Sequence, residues 1–110
     1  MHSVLRIYQG ATQLIDELAK REQEVRDLVT SVPGFISYHL IRTADGGVSI
    51  TNCEDKAGTD ESSRRAAEWI RQNLPGVTGG TPMILEGDVI FRFVDPTVAR
   101  RLVESMQASA

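Results

Sequence analysis

Apolar residues recur along this chain in two rhythms, one of period two and one of period 3.6, and their alternation predicts its elements. Val4 to Tyr8 is a short β-branched and aromatic run closed by Gly10, which predicts a first strand. From Thr12 to about Ser31, the residues Leu14, Ile15, Leu18, Val25, Leu28 and Val29 recur at three- and four-residue steps, the stripe of one helix with a buried face. Glu17 with Arg21, Lys20 with Glu24, and Glu22 with Arg26 stand four apart, the spacing of supporting ion pairs on a solvated face. Pro33-Gly34 ends the helix, because proline disfavours helical geometry in Val32 and glycine accepts the positive φ of a cap.

Phe35 to Arg42 and Gly47 to Cys53 are β-rich runs joined by Thr43-Ala44-Asp45-Gly46, the pattern of a hairpin. A second helix, capped by Thr59 or Asp60 and reaching about Leu74, buries Ala66, Ala67, Ile70 and Leu74, and Pro75-Gly76 stops it. After a Gly- and Thr-rich loop from Val77 to Pro82, Met83 to Phe93 is β-rich with a bulge or turn expected at Glu86-Gly87-Asp88, so that the last strand is Val89 to Phe93. Asp95-Pro96 starts a short C-terminal helix lined by Val98, Leu102, Val103 and Met106.

The order β-α-β-β-α-β predicts a ferredoxin-like α+β fold: a four-stranded antiparallel sheet with two helices on one face and the first and third strands central. Residues 1–95 make up this domain, and residues 96–110 are its C-terminal helix and tail. A lone domain of this kind shows water the second face of its sheet, so its strands should alternate cleanly. These do not. Phe35 and Ile41 share one side while Ile36, Tyr38 and Leu40 share the other, and Val89, Phe91 and Phe93 oppose Ile90. Two such sheets stacked back to back hide the second face, which predicts a homodimer whose sheets form an α+β barrel.

Composition narrows the function classes. The 110 residues fit one domain. A formal charge of −3, with acidic and basic residues intermixed, offers no cationic surface to nucleic acid. The single cysteine, Cys53, has no internal disulfide partner and reads as inert packing; no apolar run reaches the ~20 residues of a membrane span; and Met1-His2-Ser3-Val4 has no secretory pattern, which makes the cytoplasm the expected compartment. Two histidines 37 positions apart give no metal-ligand spacing, and Gly46-Gly47 and Gly79-Gly80 read as turns rather than phosphate loops.

With this order in hand, the chain resembles the dimeric α+β barrel superfamily, especially domains similar to antibiotic-biosynthesis monooxygenases. The likeness spans about residues 3 to 93. It rests on Val-Pro-Gly-Phe-Ile-Ser-Tyr (Val32 to Tyr38), the hairpin, the acidic strand end Glu54-Asp55, and Arg64-Arg65-Ala66-Ala67-Glu68-Trp69-Ile70. The stretch Cys53 to Ser62 is similar to a bacterial subgroup of that superfamily. The resemblance implies a homodimer with a pocket between helices and sheet in each subunit. Members of that superfamily include enzymes that oxygenate phenolic, polycyclic substrates with no metal or flavin, enzymes that bind and degrade haem, and proteins with no established activity, and the resemblance does not choose among them.

An oxygenase of the first type binds a planar phenol, favours its deprotonation and holds the anion that reacts with dioxygen. That needs aromatic walls and a few hydrogen-bonding groups. Asn52, His39 and Trp69 match the family's catalytic residue types, with Tyr8, Arg6 and Arg92 as substrate contacts. Strand parity makes Arg6 and Tyr8 co-facial, and the four strand residues Arg6, Tyr8, His39 and Asn52 converge on one cavity if all face the helices. Each has a plainer role as well: His39 hydrogen-bonded in a strand, Trp69 filling core or interface, Asn52 satisfying a strand end, Arg6 and Arg92 snorkelling at the sheet margin.

Three functions follow as expectations. The first is a cofactor-independent monooxygenase acting on a small aromatic or quinol-type molecule. The second is a non-enzymatic dimer that binds a small ligand or serves a stress or regulatory role. The third, haem binding, would call for an axial histidine soon after the helical tryptophan, and Ile70 to Gly80 contains none.

Overall fold

The computed structural model describes residues 1–77 and 81–109, with side chains described as far as residue 102. Four strands, β1 (His2–Gln9), β2 (Phe35–Thr43), β3 (Gly46–Cys53) and β4 (Met83–Asp88), form one antiparallel sheet in the order β2-β3-β1-β4. The first and third strands are central, as the ferredoxin-like order requires. Helices α1 (Thr12–Ala19), α2 (Glu22–Thr30) and α3 (Lys56–Asn73) cover one face, and α4 (Pro96–Ser109) follows β4. The core lies between them: Tyr8, Ala11, Leu14, Ile15, Leu18 and Leu74 are buried together, with Val25, Leu40, Trp69, Ile70 and Val77 packed against them.

Four local expectations are revised. The single helix over 12–31 is two helices. Arg21 leaves helical geometry, and its N–H bonds the Leu18 carbonyl at 3.0 Å in a tight turn. The seven-residue gap between Leu18 and Val25 leaves that turn without an apolar anchor, and Arg21 instead carries its guanidinium over the Trp69 ring, 5.9 Å from its centroid.

The next helix starts earlier than Thr59 or Asp60. Asp55 caps it, its Oδ1 accepting the Gly58 N–H at 3.0 Å directly after β3 ends. Thr59 is buried instead, with its Oγ1 2.8 Å from Nδ1 of His2. Of the expected stripe Ala66, Ala67, Ile70 and Leu74, Ala67 is exposed.

On the hairpin, Phe35 pairs with Cys53 and Ser37 with Asn52, so a bulge at Ile36 shifts the parity of β2. Phe35 and Ile41 therefore do not share a side: Phe35 falls in line with the helix-facing Cys53, and Ile41 pairs with the outward Val48.

The last strand is Met83–Asp88 rather than Val89 to Phe93. Glu86-Gly87-Asp88 is no interruption, since it pairs with Val4, Ser3 and His2. Pairing ends level with the start of β1 at His2, beyond which one more bond runs from the Val89 N–H to the Met1 carbonyl at 2.9 Å. Asp95 caps α4 as expected, its Oδ1 accepting from the N–H groups of Thr97 and Val98 at 2.9 Å each. Of the stripe expected on α4, Val98 and Leu102 are exposed, and Val103 and Met106 lie outside the described side chains, as Gly79-Gly80 lies outside the described residues.

Candidate functional site

Strand register sorts the sheet into rows that cross all four strands, and the two faces have opposite character. On the outward face one row runs His39, Ile50, Leu5, Leu85, and the next runs Ile41, Val48, Ile7, Met83. No described helix covers these rows: Ile41, Met83 and Leu85 are exposed, and the central Leu5, Ile7, Val48 and Ile50 are shielded only in part. On the helix face the corresponding rows run Tyr38, Thr51, Val4, Glu86 and Leu40, Ser49, Arg6, Ile84. The buried side of the sheet thus carries a cation and hydroxyls beside Val4, Tyr8, Leu40 and Cys53, while its open side carries two aliphatic rows beside the polar row Ser37, Asn52, Ser3. An ordinary two-layer domain keeps its open face polar and its covered face apolar.

Arg6 is the centre of the buried face. It is 3% exposed, in the middle of β1, and its alternation with Val4 and Tyr8 directs it under the helices. Its guanidinium is held by hydroxyls. Nη1 donates to Thr51 Oγ1 at 3.1 Å and Ser49 Oγ at 3.3 Å, and Nη2 donates to Ser62 Oγ at 2.7 Å and Ser63 Oγ at 2.9 Å. Two strands and α3 therefore meet at one side chain. Among the described residues no carboxylate pairs with it, and its Nε is buried with no hydrogen-bond partner.

A buried charge without a counter-ion is costly, which fits a guanidinium whose pKa burial pulls below its ordinary value. Arginine stays protonated nonetheless. The adjacent phenols do not compensate it. Burial raises the pKa of Tyr8 against the opposing pull of Arg6, and burial, reinforced by Tyr8, pushes Tyr38 up to about 12, so both are neutral at physiological pH.

Beside this cluster lies a cavity of about 30 Å³, lined by Arg6, Ser49, Thr51, Tyr8, Tyr38 and Trp69 together with aliphatic residues of α1, α2 and α3. It is room for about two water-sized atoms. A groove of about 660 Å³ runs between α1, α2 and the edge strand β2, and it shares Leu18, Val25, Val29 and Tyr38 with the cavity wall. A small, mostly apolar cavity with Arg6 in its wall thus adjoins a long groove. Drug-sized ligands occupy volumes of the latter order.

The structure divides the six residues singled out from sequence. Arg6, Tyr8 and Trp69 come together at the cavity. His39 and Asn52 do not join them, because register puts both on the outward face. Asn52 donates its Nδ2 hydrogen to Ser37 Oγ at 2.9 Å, and His39 is exposed at the rim of the groove. Arg92 is exposed in the extended segment after β4 and lines neither space. Tyr38, Ser49, Thr51, Ser62 and Ser63 were not anticipated. For three of them the signal was available: once the hairpin fixes register, Ser49 and Thr51 fall opposite Arg6 and Val4, and Tyr38 opposite Thr51.

Cys53 is buried, and burial, with Asp55 nearby, raises its thiol pKa, the mark of an unreactive packing cysteine. Among the described residues no three His, Cys, Asp or Glu side chains gather to hold a metal ion, and no helix is long and apolar enough to cross a membrane.

No protein-family model matches the chain, nor does any curated protein. Solved structures do match it. The heme-degrading MhuD of Mycobacterium tuberculosis, with two hemes bound in its active site, is 19% identical, with a TM-score of 0.61 over 86% of this chain and 100% of that one. The monooxygenase ActVA-Orf6 of Streptomyces coelicolor, in complex with nanaomycin D, is 20% identical, with a TM-score of 0.56 over 86% and 90%. A dimeric ferredoxin-like protein from an uncultured marine organism is 14% identical, with a TM-score of 0.59 over 86% and 97%. These likenesses establish the ferredoxin-like fold for this chain.

Proposed function

We propose that this protein is a cytoplasmic homodimer that binds a small phenolic or quinol-type aromatic molecule between helices and sheet and oxygenates it without metal or flavin. The observation that carries the reading is the recess under the helices: an uncompensated Arg6 flanked by Tyr8, Tyr38 and Trp69, beside an apolar groove. The aromatic walls suit a planar ring. The positive potential of Arg6 favours the phenolate over the phenol, and the phenolate is the electron-rich form that dioxygen attacks. In such a reaction a ring methylene loses two hydrogens and becomes a carbonyl; one atom of dioxygen enters the product and the other leaves as water.

The homodimer reading rests on the aliphatic outward face, and a dimeric ferredoxin-like neighbour supports it. The non-enzymatic, ligand-binding reading has one observation in its favour. Among the described residues no carboxylate or imidazole stands in the recess to take a proton, and both its phenols are held neutral. Haem binding has less support: His2 is packed against Thr59 with Glu86 3.6 Å away, and His39 faces outward, so neither histidine lines the recess.

Oxygen uptake decides between turnover and binding. Anthrones incubated with the protein should consume one dioxygen per anthraquinone formed and release no hydrogen peroxide, faster than with heat-denatured protein. Trp69→Ala should slow the reaction at least tenfold. Equal rates with native and denatured protein would remove the enzymatic reading, and hemin titration without a Soret shift would remove haem.

A further inference from the structure

We propose that the recess at Arg6 is a carboxylate receptor, so that the molecule this protein takes is an aromatic acid whose carboxylate seats on Arg6 while its ring extends along the groove. The inference rests on the pocket reading above, and it assigns Arg6 to binding an acid group in place of stabilising a phenolate. Arg6 is 3% exposed, carries a full charge and has an unpartnered Nε, and no carboxylate among the described residues answers it. Its four hydroxyl neighbours accept its protons and do not neutralise it. They do prepare it for an anion. A hydroxyl that accepts from a guanidinium keeps its own proton to donate; Ser62 commits its proton to the Thr59 carbonyl at 2.8 Å and Ser49 bonds Tyr38, which leaves Thr51 and Ser63.

Arg6 and Thr51 both line the cavity, so the guanidinium and the Thr51 hydroxyl offer it donors where charge-assisted bonds to an anion are strongest. So small a cavity suits the compact, planar carboxylate that an aromatic ring can carry. A phenolate offers only one oxygen to the same set of donors.

Calorimetric titration of the wild-type protein with 2-naphthoate, 2-naphthamide and 2-naphthol at pH 7 tests this. Naphthoate should bind at least tenfold tighter than either neutral compound, and its affinity should fall as pH drops through its own pKa near ~4. Arg6→Gln should bring naphthoate down to the level of the amide, while Arg6→Lys, which keeps the charge, should retain part of the preference. The pH series needs no variant, so a misfolded Arg6→Gln would not shield the idea. Equal affinity for acid, amide and naphthol would overturn the carboxylate receptor and leave the aromatic pocket standing. Failure of all three to bind would overturn the pocket, and the receptor with it.

Discussion

Ile50→Lys is the substitution that should separate the two faces of the sheet. Ile50 lies on β3 with Leu5 on one side and His39 on the other, in the middle of the outward face. In an isolated subunit the change is mild, because a long lysine reaches water across an open sheet face. In a back-to-back dimer it is not. Covering the exposed halves of Ile41, Met83 and Leu85 is worth roughly 1 kcal/mol per side chain, and twofold symmetry counts each residue twice. The same symmetry would bring two ammonium groups to the centre of the contact, each losing hydration worth several kcal/mol with no anion opposite. A net loss of about 4 kcal/mol raises the dissociation constant about a thousandfold. Sedimentation equilibrium from micromolar to nanomolar protein reads this directly, with circular dichroism confirming a folded subunit. A variant that dimerises as tightly as wild type would refute the assignment of the interface to this face, and a wild type that is monomeric at high micromolar concentration would refute the dimer itself.

Gly47→Ala should destabilise by about 1–3 kcal/mol, since a Cβ there would meet Ile15 Cδ1 at 2.5 Å and the Ile41 carbonyl at 2.8 Å; urea unfolding measures it. Leu14→Ala, at a fully buried position of α1, should cost about 2–5 kcal/mol and lower the melting temperature accordingly. Tyr38, pushed up to about 12 by burial, has a folded pKa above its unfolded value near ~10, so its contribution is complete below the unfolded value and is lost as pH rises through the folded one. Stability should therefore fall by on the order of 2 kcal/mol between about pH 10 and 12, and Tyr38→Phe should flatten that slope in denaturant titrations across the range.

The fold was legible because its signals are local. The hairpin turn, the Pro-Gly stops and the Asp95-Pro96 cap each act over a few residues, and their order alone selects the ferredoxin-like arrangement. What escaped depended on contacts between distant segments. The break at Arg21 reflects a guanidinium resting on Trp69 of another helix. The end of β4 at Asp88 reflects where its partner β1 begins, which nothing in Met83 to Phe93 encodes. For the site, parity within one strand joined Arg6 to Tyr8, but the bulge at Ile36 and the register of β3 decided that His39 and Asn52 point the other way.

The mixed polarity of the sheet's two faces ties the two halves of the functional reading together. A sheet whose helix-covered side carried only aliphatic residues would leave no recess, and one whose open side carried only polar residues would need no partner. Here each anomaly asks for something the subunit does not supply. The aliphatic rows through Ile50 and Val48 ask for a second apolar surface, which a symmetric copy provides. The guanidinium of Arg6, surrounded by hydroxyls, asks for a negative charge, which among the described residues the protein does not provide and a ligand can. Because β1 carries Leu5 outward and Arg6 inward at adjacent positions, one strand transmits both demands. Rigidity at the dimer contact then holds the floor of the binding site, so a substitution that separates the subunits should weaken aromatic-acid binding as well, although no residue of the outward rows touches the cavity. Titrating Ile50→Lys with 2-naphthoate measures that coupling; an affinity equal to wild type in the separated subunit would show that the two faces act independently.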